Sequence, residues 1–113
     1  GYAPDFVKAL VPWLPEIKAK GIKVVANAGG VNPRGCRDAL AKAAAEAGID
    51  LSIGVVLGDD LSAQADDIRA SGQSEMFSGA PFPDDIWSMN AYLGARPIAA
   101  ALDGGADIVI TGR

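Results

Sequence analysis

The sequence predicts an α/β domain built on a mostly parallel sheet, and three observations carry that prediction. Short β-branched runs recur along the chain: IKVVA at 22–26, LSIGVVL at 51–57 and DIVIT at 107–111. Segments of helical spacing lie between them. Glycine or asparagine marks almost every junction. Strands separated by helices form βαβ units, and parallel strands covered on both faces read as continuous apolar runs rather than alternating ones. The expected arrangement is Rossmann-like and three-layered. All 113 residues fit one such domain, and the missing initiating Met and the end on Ile-Thr-Gly-Arg suggest that it is incomplete.

Taken in order, residues 4–20 place Phe6, Leu10, Trp13, Leu14 and Ile17 on one helical stripe. Pro12 and Pro15 interrupt it, which predicts two short helices or one kinked helix ending at Gly21. The run at 22–26 is the first strand, and NAGGVN at 27–32 reads as a loop. Asn32 and Pro33 then make an N-cap and a first helical residue, and the helix runs through Leu40 and Ala44 to Ala47, with Gly48 as its stop. The second strand, 51–57, ends in Gly58-Asp59-Asp60. Ser62 is expected to cap a helix reaching Ser71. Gly79, Pro81 and Pro83 exclude a long helix in residues 73–87, which read as an insert holding a hairpin or a lid. Asn90–Leu93 fits a strand or a loop, Pro97–Leu102 a helix, and 107–111 the last strand.

Composition narrows the function classes. Half of the residues are hydrophobic and 21% charged, which fits a globular chain and argues against disorder. A net charge of −4 with dispersed basic residues argues against a nucleic-acid partner. No apolar stretch approaches the ~20 residues of a membrane span. One cysteine forms no internal disulfide and no signal peptide is visible, so a cytoplasmic location is expected. There is no histidine, so neither a Ser-His or Cys-His pair nor a His-based zinc site can be built.

In parallel α/β sheets, ligands bind beyond the carboxyl ends of the strands. Three loops occupy that position. In the first, Gly29 and Gly30 either let backbone approach a ligand or simply make a tight turn; Asn27 and Asn32 flank them. Amides at the following helix start and Arg34 suit a phosphate or carboxylate. The loop matches neither the P-loop nor the dinucleotide fingerprint, so no cofactor is specified. In the second, Asp59 and Asp60 fit Mg²⁺ or a ribose hydroxyl, with helix capping the favoured role. The third is Thr111-Gly112-Arg113. Asn90, Tyr92 and Arg96 either orient a polar ligand or pin a loop. Cys36 is expected to pack as a small residue, Asp66-Asp67 and Asp84-Asp85 to be solvated, and Trp13, Phe82 and Trp87 to serve as core or interface.

Three stretches, VVANAGGVNPRG at 24–35, GVVLGDDL at 54–61 and NAYLGARPIAAALDGGADIVITGR at 90–113, resemble the amino-terminal region of the acyclic terpene utilisation (AtuA) family. In that family the chain begins earlier with a glycine-rich strand and continues well past the Gly-Arg. The resemblance implies a role in bacterial breakdown of branched acyclic terpenoids such as citronellol and geraniol, alongside acyl-CoA steps. It also implies a shared set of candidate positions: Asn27, Gly29, Gly30, Asn32, Arg34, Gly58, Asp59, Asn90, Tyr92, Gly94, Thr111, Gly112 and Arg113. It marks none of them as catalytic. The expected partner is a small molecule, an acyl-CoA or a carboxylate, with a homo-oligomer or partner subunit as the further expectation. The alternative is a non-catalytic module that binds a small molecule, a nucleotide or a partner subunit.

Overall fold

The computed structural model describes all of residues 1–113. Its sheet has three parallel strands, β1 (Val24–Gly30), β2 (Ile53–Val56) and β3 (Ile108–Gly112), in the order β1-β3-β2. The last strand in sequence is therefore the central one, which is why Ile108, Val109 and Ile110 are all fully buried. Pleating sends Ile108 and Ile110 to one face and Val109 to the other.

Each face has its own cover. On the first, Ile108 and Ile110 meet Leu14 and Ile17 of α2 (Leu14–Lys20) and Cys36, Leu40 and Ala44 of α3 (Pro33–Glu46). On the second, Val109 and Val56 meet Ala106 and the Ile98, Ala101 and Leu102 side of α5 (Arg96–Asp103). Full burial of a Leu or Ile contributes about 1.5–3 kcal/mol, so the first face, with its four fully buried Leu and Ile side chains, is the main source of stability. Crossovers of one hand that run in opposite directions must cover opposite faces. The connection from β1 to β2 and the one back from β2 to β3 do so.

The first helical stretch is kinked as its prolines predict. It divides into α1 (Pro4–Leu10), a 3₁₀ turn (Val11–Trp13) and α2, which ends on Gly21 in the left-handed region. Asn32 caps α3, its side-chain oxygen accepting from the Gly35 N–H at 3.0 Å. Asp107 ties the amino end of the sheet together. Its carboxylate accepts from the Ser52 N–H at 2.9 Å and pairs with Lys23 Nζ at 3.3 Å.

Several expectations need correction. β1 does not stop at Ala26 but continues through Asn27–Gly30, because Gly30 pairs with Gly112 across a register shift and Ala28 O accepts from the Ala3 N–H. β2 is shorter than 51–57, since the Ser52 N–H and C=O are both turned to Asp107 and Ile108 rather than to a regular ladder. Ser62 caps nothing; Asp60 Oδ1 accepts from its N–H and hydroxyl instead, ahead of a 3₁₀ turn (Ser62–Gln64) and the short α4 (Ala65–Ala70). Asn90 makes only an isolated bridge with Asp60, so 90–93 is a loop. Trp13 and Trp87 are not core residues, at 59% and 101% exposed, because Leu10, Leu14 and Ile17 take the inward stripe and Trp87 lies in the insert, which leaves the interface alternative for both. Phe82 is half-buried beneath the Arg69 guanidinium, 5.3 Å from its ring centre.

The insert holds a hairpin-like turn at Ser74–Pro81, with the Glu75 carboxylate accepting from the Phe77 and Ser78 N–H groups. The Ser78 side chain first, and then these N–H groups, hold the Glu75 carboxyl below the usual carboxylate range. Residues 71–81 are exposed throughout. The radius of gyration, 17.1 Å, is well above the ~13 Å of a compact chain this long. No helix is long and apolar enough to cross a membrane.

Candidate functional site

The connection after β1 leads to α3 on one face and the longer one after β2 reaches α5 on the other, so they part over the carboxyl end of β3 and leave a crevice there. Two adjoining hollows occupy it. The first, about 210 Å³, opens on the α5 side and is lined by Asn27, Val56, Asp59, Tyr92, Leu93, Gly94, Ile98, Thr111, Gly112 and Arg113. The second, about 280 Å³, lies over the start of α3 and is lined by Gly30, Val31, Asn32, Pro33, Arg34, Leu57, Gly58, Asp59, Asp60 and Asn90. Asp59 belongs to both. The structure thus brings the three expected loops together, but into a divided site.

Asp59 is the centre of this arrangement. It is 5% exposed. Its Oδ2 accepts from Asn90 Nδ2 at 2.9 Å and from the Arg113 N–H at 3.0 Å, while its backbone carbonyl accepts from the Ala91 N–H at 2.8 Å. It therefore fastens the end of β2 to the 89–91 segment and to the end of β3. That is a different role from the helix capping expected of it. Asp60 does take the capping-type role, and its hydrogen bonds from Ser62 hold its carboxyl below the ordinary value. The two neighbouring carboxylates serve different partners, and no group of three or more His, Cys, Asp or Glu side chains gathers to hold a metal ion.

The glycines are shaped by the protein itself. A Cβ on Gly29 would stand 2.5 Å from the Thr111 carbonyl oxygen and 2.7 Å from Pro33 Cα. Gly29 lines neither hollow, so the close approach it permits is of β3 and α3 to β1, not of a ligand. Gly30, with φ of 54°, needs the left-handed region to leave the strand. The start of α3 is also less open than its sequence suggests. Pro33 has no N–H, Gly35 donates to Asn32 Oδ1 and Cys36 donates to the Asn32 carbonyl. Among these first helical residues only Arg34 keeps an N–H without a partner in the chain. Its guanidinium is exposed and joins no ion pair.

Other expectations fall outside the hollows. Arg96 opens α5 but lines neither. Cys36 is buried against the sheet, and burial pushes its thiol up, away from the thiolate a nucleophile requires. Residues 73–87 line neither hollow. Sequence reasoning missed the apolar wall of the first hollow, Val56, Leu93 and Ile98. A signal existed: Val56 ends a parallel strand and Ile98 sits in the first turn of the helix packed on that face. Leu93 carried none, because its place depends on the Asp59–Asn90 fastening.

Chemically, one hollow offers hydrocarbon contact and the other offers a cation, amide groups and carboxylate oxygens. No curated protein and no solved structure shows a significant match to the chain. The model of the family described as "Acyclic terpene utilisation family protein AtuA" matches residues 1–113, and the chain belongs to that family.

Proposed function

We propose that this chain forms the ligand-binding α/β part of a protein of acyclic terpenoid or related branched-acid catabolism. Its ligand is a branched carboxylate, free or as an acyl-CoA. The observation that carries the reading is the pairing of the two hollows across Asp59. The hydrocarbon chain lies against Val56, Leu93 and Ile98, and the carboxylate or phosphate reaches Arg34. Binding sites of this kind are mostly apolar, with a few polar groups that fix orientation.

Magnitudes decide which half supplies affinity. An exposed Arg–carboxylate pair is worth about 0.2–1 kcal/mol. Each buried CH₂ contributes about 0.8 kcal/mol, so even two of them outweigh Arg34. Isothermal titration of the protein with a series of aliphatic and branched acids tests this. Affinity rises about fourfold per added carbon until the hollow is filled. Arg34→Ala lowers every member by the same factor, about fivefold at most. Affinity independent of chain length rejects the hydrocarbon site.

A second reading, a non-catalytic binding module, has its own support. Neither hollow contains a nucleophile next to a base, and Oδ2 of the central carboxylate is already committed to Asn90 and Arg113. Turnover of a bound acyl-CoA by the isolated protein would decide against that module.

A further inference from the structure

We infer that the tip of the insert docks on the α1–α2 surface of a second copy of this chain, and that two copies exchange these contacts to form a dimer. The insert is braced. Arg69 holds its far end, donating through Nη2 to the Pro83 and Asp84 carbonyls at 3.1 and 3.2 Å and lying over the Phe82 ring. At the tip, the Glu75 N–H donates to the Ala80 carbonyl at 2.8 Å, and the Glu75 carboxylate takes the Phe77 and Ser78 N–H groups. That turn carries Met76 and Phe77 side by side, 83% and 88% exposed, so nothing in their own chain covers them. The molecule is drawn out to 52 Å along its long axis, against 25 and 21 Å across. Large apolar side chains on a preformed turn lose little ordering entropy on binding, which suits them as interface anchors.

The charge pattern selects the partner. Residues 58–87 carry seven Asp and Glu against one Arg, whereas residues 1–48 carry seven Lys and Arg against four acids. The basic part forms one layer, because α1, α2 and α3 turn Phe6, Leu10, Ile17 and Leu40 to the same face of the sheet. On its outer side Lys18 is exposed and joins no ion pair, and Lys8 meets Asp5 only at 4.0 Å. Asp67, Asp84 and Asp85, on α4 and the insert, are equally exposed and unpaired. Trp13 stands between α1 and α2 in the basic layer, 59% exposed. An indole makes favourable contacts with both a methionine sulfur and a second aromatic ring. Each copy therefore holds an acidic arm with an apolar tip and a basic surface with an exposed aromatic ring. Reciprocal exchange of the two closes as a twofold dimer, whereas a one-way contact would propagate as a filament.

Sedimentation velocity over a concentration series tests this. The protein is expected to form a reversible dimer that salt weakens. Phe77→Ser and Trp13→Ala should each weaken it about tenfold or more, with circular dichroism unchanged because both positions lie outside the core. A charge exchange makes the test specific. Lys8→Glu with Lys18→Glu leaves one variant acidic on both surfaces; Asp67→Lys with Asp84→Lys and Asp85→Lys leaves another basic on both. Each variant alone is expected to be a monomer, and an equimolar mixture of the two is expected to dimerise, because opposite charges then meet at both contacts. The mixture must fold and pair to do so, which separates lost contact from lost structure. A parent protein that stays monomeric throughout the series overturns the inference. So does a dimer that Phe77→Ser and the charge reversals leave unchanged.

Discussion

The Asp59 carboxylate reaches from the end of β2 to the Arg113 N–H at the end of β3, Oδ2 to N 3.0 Å, and Gly112 leaves the space that lets it do so. A Cβ at Gly112 would stand 2.5 Å from that same oxygen. One glycine and one buried carboxylate therefore fix the geometry of the crevice on which the functional reading rests.

Gly112→Ala is accordingly expected to destabilise the fold. Overpacking costs about 1–3 kcal/mol, which exceeds the ~0.4–1 kcal/mol gained by stiffening the unfolded chain. Urea denaturation measures the difference. A variant as stable as the parent would show that Asp59 moves freely.

Stability should fall in acid through Asp107. Its carboxyl lies below the usual carboxylate value, first because of the Ser52 N–H and then through Lys23. A depressed folded-state pKa means a contribution fully present above the unfolded value, near pH ~4, and lost as pH falls through the folded one. Asp60 and Glu75 act in the same direction. Denaturation midpoints of the parent and Asp107→Asn, measured from pH 7 to pH 3, should converge as pH falls. A gap that widens in acid contradicts the sign.

The division between core and surface is sharp enough to test with two truncations. Leu40 is fully buried against the sheet, and Leu40→Ala should cost about 2–5 kcal/mol. Trp87 is fully exposed, and Trp87→Ala should stay within about 0.5 kcal/mol of the parent. A large cost at Trp87 would mean that the insert is packed in solution.

Asn32→Ala removes the cap of α3 and should cost about 0.5–2 kcal/mol, while Asn32→Asp should be tolerated because aspartate caps equally well. Thermal melts of the two variants report this directly.

These tests also separate what was legible in the sequence from what was not. The strands at 22–26, 51–57 and 107–111 were visible because buried parallel strands are continuous apolar runs, and the α3 start because Asn32-Pro33 is a local signal. The extension of β1 through Asn27–Gly30 was hidden, since glycines resemble a loop until Gly112 pairs with Gly30 across the sheet. The sheet order was hidden too: nothing in DIVIT says that it lies between the other two strands. At the site, Asp59, Asn90 and Arg113 could be suspected one by one. Their mutual hydrogen bonds join positions far apart in sequence, which residue spacing does not encode. For Trp13 and Trp87 only the core half of the expectation fails, because the available core is already filled by Leu14, Ile17 and Leu40.

The most direct test of the central claim is a two-dimensional amide NMR titration of the protein with citronellate. The account predicts saturable shifts at Asn27, Val56, Leu93, Ile98 and Thr111, the lining of the hollow above β3. The surface hollow at Ala41–Leu51 should stay silent. Shifts centred there, or on the insert at residues 73–87, would contradict it.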